Sequence, residues 1–195
     1  SFKELADGSW IYLNNKGVAV TGEQIINGQT LYFGNDGRQF KGTTHINATG
    51  ESRYYDPDSG NMITDRFERV GDNQWAYFGY DGVAVTGDRI IKGQKLYFNQ
   101  NGIQMKGHLR LENGIMRYYD ADTGELVRNR FVLLSDGSWV YFGQDGVPVT
   151  GVQVINGQTL YFDADGRQVK GQQRVIGNQR YWMDKDNGEM KKITY

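Results

Sequence analysis

The chain has 195 residues and a net charge of −1, with 13 Tyr, 9 Phe, 4 Trp and 27 Gly against 2 Pro and no Cys. Near-neutral charge gives nucleic acid or a membrane surface no electrostatic hold, the lack of Cys excludes a disulfide framework and thiolate metal sites, and no apolar run of about 18 residues is present to span a bilayer. Abundant aromatics and glycines with little proline fit short strands joined by tight turns rather than long helices.

Taken along the chain, Trp10 is the first of three tryptophans in step, followed by Trp75 and Trp139 at intervals of 65 and 64 residues. Gln29-Thr30-Leu31-Tyr32-Phe33 returns as Gln94-Lys95-Leu96-Tyr97-Phe98 and as Gln158-Thr159-Leu160-Tyr161-Phe162. Arg53-Tyr54-Tyr55-Asp56 returns as Arg117-Tyr118-Tyr119-Asp120 and, more loosely, as Arg180-Tyr181-Trp182. The chain therefore reads as three super-repeats of about 64 residues, at about 7–71, 72–135 and 136–195, each holding three units of 20 to 23 residues. A unit this short cannot bury a core alone and must stack on its neighbours. The expected fold is all-β, an elongated β-solenoid of about nine stacked hairpin repeats forming one module over residues 1–195. There is no signal-peptide pattern, and the abrupt start and the close end after a ninth unit read as a piece of a longer chain.

Within one unit, Thr30 to Phe33 and Arg38 to Gly42 flank Gly34-Asn35-Asp36-Gly37, a hairpin signal. A four-residue loop would pair Phe33 with Arg38, Tyr32 with Gln39 and Leu31 with Phe40. Alternate strand residues face opposite sides, so Leu31, Phe33 and Phe40 are expected on the core face and Tyr32, Gln39 and Lys41 on the other. That register aligns an apolar column (Val20, Phe40, Ile63, Val85, Met105, Val127, Val149 and Val169, with Lys191 ninth) and an aromatic column from Tyr12 to Trp182. Asn27-Gly28 and Asn156-Gly157 add two-residue turn signals before their strands.

The position opposite the aromatic is polar only in the middle unit of each super-repeat, giving Gln39/Lys41, Gln104/Lys106 and Gln168/Lys170 beside Tyr32, Tyr97 and Tyr161. An aromatic ring covers the apolar face of a pyranose, an amide donates and accepts, and an ammonium donates. The combination is a candidate sugar site. Packing between units would also account for the aromatic column, with Gln and Lys as solvated strand residues. Other chemistry is weaker. Asp56-Pro57-Asp58-Ser59-Gly60 and Asp120-Ala121-Asp122-Thr123-Gly124 look superficially like calcium loops but lack the downstream Glu, and fit Asx-type turns better. His45 and His108 have Gln where the third super-repeat would need His, which argues against a catalytic or metal role. Asn47-Ala48-Thr49 matches a glycosylation sequon, and no nucleophile or acid/base set stands out. No metal site, cofactor or catalytic residue is expected.

The segments Trp75-Ala76-Tyr77-Phe78-Gly79-Tyr80-Asp81-Gly82-Val83-Ala84-Val85-Thr86-Gly87 and Gln158 to Gly171 resemble the cell-wall-binding-type repeats of Gram-positive secreted proteins. They are most similar to the glucan-binding domain of glucansucrases, the family-70 glycoside hydrolases such as dextransucrases and branching sucrases. The resemblance covers almost the whole chain. It implies a β-solenoid that binds α-glucan and is covalently linked to a separate catalytic domain, in a secreted, extracellular or cell-wall-associated bacterial protein. It also implies sugar pockets built from an aromatic and a Gln-x-Lys pair, which fall here on Tyr32, Gln39, Lys41, Tyr97, Gln104, Lys106, Tyr161, Gln168 and Lys170. Two related classes share the repeat: choline- or teichoic-acid-binding anchors, which cage a quaternary ammonium in aromatics, and toxin-type repeats that bind host glycans. A Lys at the site would repel choline.

Overall fold

A computed structural model describes residues 1–194. Among them the regular structure is entirely β: nineteen short strands form nine antiparallel sheets, eight of two strands and a last one of three. The contacts divide into two compact units, residues 1–105 and 106–195.

The pairing differs from the expected one in an instructive way. Three of the regular hairpins form around Asn-Gly dipeptides, as in Gly22–Ile26 with Gln29–Phe33, where Ile26 faces Gln29. Asn27 and Gly28 have φ of 53° and 77°, the left-handed pair that a two-residue type I′ turn requires and that matches strand twist. The same turn recurs at Asn113-Gly114 and Asn156-Gly157, and Lys92 is held at φ 49° to make it before Gly93. The Gly34–Gly37 loop, in contrast, closes on itself through Gly34 N–H to the Arg38 carbonyl at 2.8 Å and leads to a single bridge, Phe33 with Gln39.

That bridge lies one residue away from the expected pairing. Tyr32 accepts from the Phe40 N–H at 2.8 Å, and their rings meet edge-on at 4.9 Å. Phe40 therefore lies with Tyr32, and Gln39 lies opposite the buried Phe33. The same holds for Phe98 with Gln104 and Phe162 with Gln168. Because strand periodicity is two, a one-residue shift exchanges the faces. In the third unit of the first two super-repeats, Tyr55 does pair with Met62 and Tyr119 with Leu126, as expected. Those two tyrosines, however, occupy the structural row of Phe33, Phe78, Phe98, Phe142 and Phe162. All seven are at most 1 % exposed.

Stacking works through the two rows together. Ile26, Leu31 and Phe33 form a core on which Tyr12 and Val20 of the preceding hairpin pack. Phe67, Tyr77 and Val85 cover Ile91, Leu96 and Phe98 in the same way, and Phe131, Tyr141 and Val149 cover Ile155, Leu160 and Phe162. These three hairpins bury their Leu and Phe under the Tyr and aliphatic residue of the preceding one. Within each unit this is a solenoid of stacked hairpins stabilised by nearest-neighbour interfaces.

Candidate functional site

The Gln-x-Lys segments follow the Gly-rich loops and are fixed from both sides. Gln39 N–H donates to the Trp10 carbonyl at 2.7 Å, tying the segment back to the preceding hairpin. Forward, the Gln39 amide donates to the Ser59 carbonyl at 3.2 Å and the Lys41 ammonium to the Asp58 carbonyl at 2.8 Å. The Lys41 Nζ stands 5.7 Å from the centre of the Trp10 ring. The third super-repeat repeats every part. Gln168 N–H bonds the Trp139 carbonyl at 2.8 Å, the Gln168 amide bonds the Asn187 carbonyl at 2.9 Å, and the Lys170 ammonium bonds the Asp186 carbonyl at 2.9 Å and stands 5.8 Å from the Trp139 ring centre. In the middle super-repeat Gln104 N–H bonds the Trp75 carbonyl at 2.7 Å, and Lys106 bonds the Asp122 carbonyl at 3.0 Å.

The carbonyls that accept these bonds belong to the Asp-x-Asp turns. Asp56 Oδ1 accepts from the N–H groups of Asp58 and Ser59 and from the Ser59 hydroxyl, at 2.8–3.0 Å. Asp120 repeats this with Asp122 and Thr123, and Asp184 bonds the N–H groups of Asp186 and Asn187. These are Asx turns, as expected, and among the described residues no cluster of acidic, His or Cys side chains is arranged around a metal position. The bonds favour the ionised carboxylates. The Ser59 N–H is foremost in lowering the pKa of Asp56, the Arg130 guanidinium that of Asp120, and the Asp186 N–H that of Asp184. Gly60 and Gly188 complete the fit. Each has a positive φ, and a Cβ there would lie 2.2 Å from Gln39 Nε2 and 2.4 Å from Gln168 Nε2.

In the first and third sets the Gln and Lys side chains are thus brought onto one Asx turn, whereas Tyr32 and Tyr161 lie in the row that bonds Phe40 and Val169. Tyr32 stacks on His45 at 3.9 Å and sits edge-on to Phe40. Tyr97 and Tyr161 occupy the same row, bonded through their carbonyls to the N–H groups of Met105 and Val169. In the first and third sets the aromatic beside the ammonium is the tryptophan, which the reading of faces overlooked. A signal was present, since Trp10, Trp75 and Trp139 each precede their Gln by 29 residues. Trp139 is 36 % exposed, a large apolar face presented next to the Lys170 ammonium. An ammonium carries three donors; one bonds the turn carbonyl and the others are available to a ligand hydroxyl.

The choline-binding repeat pattern matches residues 20–67, 85–131 and 149–195, well over half of the sequence. The chain belongs to the choline-binding repeat family. It is similar to Glucosyltransferase-S of Streptococcus mutans, 48 % identical over 152 residues that make up 78 % of this chain and 10 % of that protein. It is also 48 % identical to Glucosyltransferase-I of Streptococcus downei over 144 residues, 73 % of this chain and 9 % of that one. The chain thus spans about a tenth of the length of these curated relatives. Among solved structures, choline binding protein F from Streptococcus pneumoniae superposes with a TM-score of 0.64 at 24 % identity, over 93 % of this chain and 61 % of that one. The modular autolysin LytC from the same species gives 0.65 at 17 % identity, over 98 % and 46 %. Both share the fold of this choline-binding repeat chain.

Proposed function

We propose that this chain is a non-catalytic α-glucan-binding module of a secreted bacterial glucansucrase, acting as one domain built of three super-repeats and joined to a catalytic domain elsewhere in the same protein. The observation that carries the reading is the Trp, Gln and Lys set with fixed spacing, whose geometry is alike at Trp10/Gln39/Lys41 and Trp139/Gln168/Lys170. An aromatic face beside a fixed amide and an ammonium suits a neutral, hydroxyl-rich ring. The long match to glucosyltransferases supports glucan as the ligand. Gln39, Lys41, Gln104, Lys106, Gln168 and Lys170 make the polar contacts. Tyr32 acts beneath its site, holding its hairpin against the next through His45 and Tyr55. A single site of this kind binds weakly, with a Kd on the order of millimolar, about −4 kcal/mol. Several sites meeting one polymer raise avidity by about 10²-fold or more without new contacts.

The family pattern favours a second reading, a choline- or teichoic-acid-binding anchor. A quaternary ammonium needs open aromatic faces. Here the faces of Trp10 and Trp139 already lie beneath Lys41 and Lys170, and a second cation there would meet a like charge. Titration calorimetry with isomaltotriose and with choline chloride separates the two. Isomaltotriose should give saturable heat that weakens in Lys170→Met, and choline should give none. Choline binding without isomaltotriose binding would reverse the assignment.

A further inference from the structure

Two cavities recur at matching positions in the two compact units, walled by the Asx turns whose carbonyls accept from the Gln-x-Lys side chains. One, of about 250 Å³, is bordered by Asp56, Ser59, Asn61, Ile63, Thr64 and Arg66. The other, of about 500 Å³, is bordered by Asp120, Thr123, Glu125, Val127, Arg128 and Arg130. Seven wall positions correspond one to one, Met62 with Leu126 among them, and in each unit the floor is a buried aliphatic residue, Ile63 or Val127, both 4 % exposed. The smaller lies just below, and the larger within, the roughly 300–1,000 Å³ of small-molecule sites.

The walls are charged in pairs. Arg66 reaches Asp56 at 3.4 Å and Glu68 at 3.1 Å, and Arg130 reaches Asp120 at 2.6 Å. Both guanidiniums are about half exposed (53 % and 54 %), whereas the partner aspartates are only 26 % and 19 % exposed. The carboxylate is thus held inside by the Asx turn, and the guanidinium, with five N–H donors, keeps donors turned to the opening. Both cavities carry charges of both signs, Asp56 against Arg66 in one and Asp120, Asp122 and Glu125 against Arg128 and Arg130 in the other, so a cation or an anion entering meets its own sign on one wall. A ligand with many hydroxyls and no charge meets donors from Arg, acceptors from Asp and, in the first cavity, the Thr64 hydroxyl and the Asn61 amide.

We infer that the Asp56/Arg66 and Asp120/Arg130 cavities are a second class of subsite, each taking one neutral pyranose through an Asp–Arg pair and an aliphatic floor rather than through Trp, Gln and Lys. The inference rests on the carbohydrate reading above. It also restricts the class to two super-repeats. In the third, the turn carboxylate Asp184 meets Lys191 at 3.9 Å, and a lysine lacks the planar fork that grips adjacent hydroxyls.

The test is a methyl- and indole-resolved NMR titration of the whole chain with isomaltotriose. The Trp10 and Trp139 indole signals report the Gln-x-Lys sets, while the Ile63 and Val127 methyl signals report the cavities. Both groups of signals should move saturably, and in the Arg66→Met/Arg130→Met variant the methyl shifts should weaken roughly tenfold in apparent Kd while the indole shifts persist. Static Ile63 and Val127 methyls with moving indoles in the unaltered chain would overturn the inference and leave the glucan reading intact. Signals that all stay still would remove both. Methyl shifts undiminished in a variant with native signal dispersion would overturn the role given to the Asp–Arg pair.

Discussion

Replacing Gly60 by Ala tests whether the Gln39 amide is locked against the Asp56 turn. The new Cβ would lie 2.2 Å from Gln39 Nε2, 2.9 Å from its Cδ and 3.1 Å from the Phe40 carbonyl oxygen, at a φ of +72°. Holding an L-residue in that left-handed conformation costs about 1–2 kcal/mol. Displacing the Gln39 amide forfeits its bond to the Ser59 carbonyl, about 1 kcal/mol more. The expected destabilisation is therefore about 2–3 kcal/mol. Gly50→Ala is the control, because its φ is +85° but nothing lies within 4 Å of its Cβ position; it should cost only the backbone part, about 1–2 kcal/mol. In a Gln39→Ala background the side-chain clash is gone and only the 3.1 Å approach to the Phe40 carbonyl remains, so the cost of Gly60→Ala should fall towards the Gly50→Ala value, a coupling of about 1 kcal/mol. Urea denaturation followed by circular dichroism measures all four chains. Equal losses for Gly60→Ala and Gly50→Ala, with no coupling to Gln39, would refute the clamp.

The remaining expectations concern core, faces and pH. Phe162→Ala should cost about 3–5 kcal/mol in the same denaturation assay, since Phe162 is fully buried and stacks on Phe131. Tyr55→Phe should raise stability by about 1 kcal/mol. Its hydroxyl is buried without a hydrogen-bond partner among the described residues, burial pushes its pKa up to about 12, and Phe fills that row in other hairpins. Gln104→Ala should also destabilise, by about 1 kcal/mol or more, because Gln104 is only 9 % exposed. Asp7 and Asp136 are lowered to about 2, foremost by the hydroxyls of Ser9 and Ser138 and further by Arg38 and Arg167. Their folded pKa lies below the unfolded 3.8, so their contribution is complete above about pH 4 and is lost as pH falls towards 2. Acid titration of melting temperature should therefore flatten in Asp7→Asn/Asp136→Asn over that window.

The repeat period, the all-β class and the Asn-Gly turns were legible because each rests on local chemistry: a fixed spacing, strand-forming residues, and dipeptides that tolerate positive φ. The faces were not. Arg53-Tyr54-Tyr55 aligns by identity with the tyrosine of Leu31-Tyr32-Phe33, but the structural counterpart of Tyr32 is Tyr54, whose carbonyl bonds Ile63 N–H as that of Tyr32 bonds Phe40 N–H. The loop from Asp56 to Asn61 is longer than that from Gly34 to Arg38, so a single register drawn through both kinds of unit merges two rows. Tyr55 then looked like a surface aromatic although it replaces a core Phe. The candidate site was half legible for the same reason. Recurrence singled out Gln-x-Lys, but their partners lie on other hairpins: Trp10 and Trp139 behind, and the Asp-x-Asp turns ahead. Only the stacking brings those segments together.

The central claim is that these repeats hold a glucan through their Trp, Gln and Lys sets. Native affinity electrophoresis of the whole chain in gels with and without dextran tests it most directly, with a Lys41→Met/Lys106→Met/Lys170→Met variant and a choline-containing gel alongside. Dextran should retard the unaltered chain, the triple variant should migrate faster than it in dextran after correction for its lost charge in the dextran-free gel, and choline should change neither. Equal relative mobility of the unaltered chain with and without dextran, or retardation relieved by choline, would contradict the account.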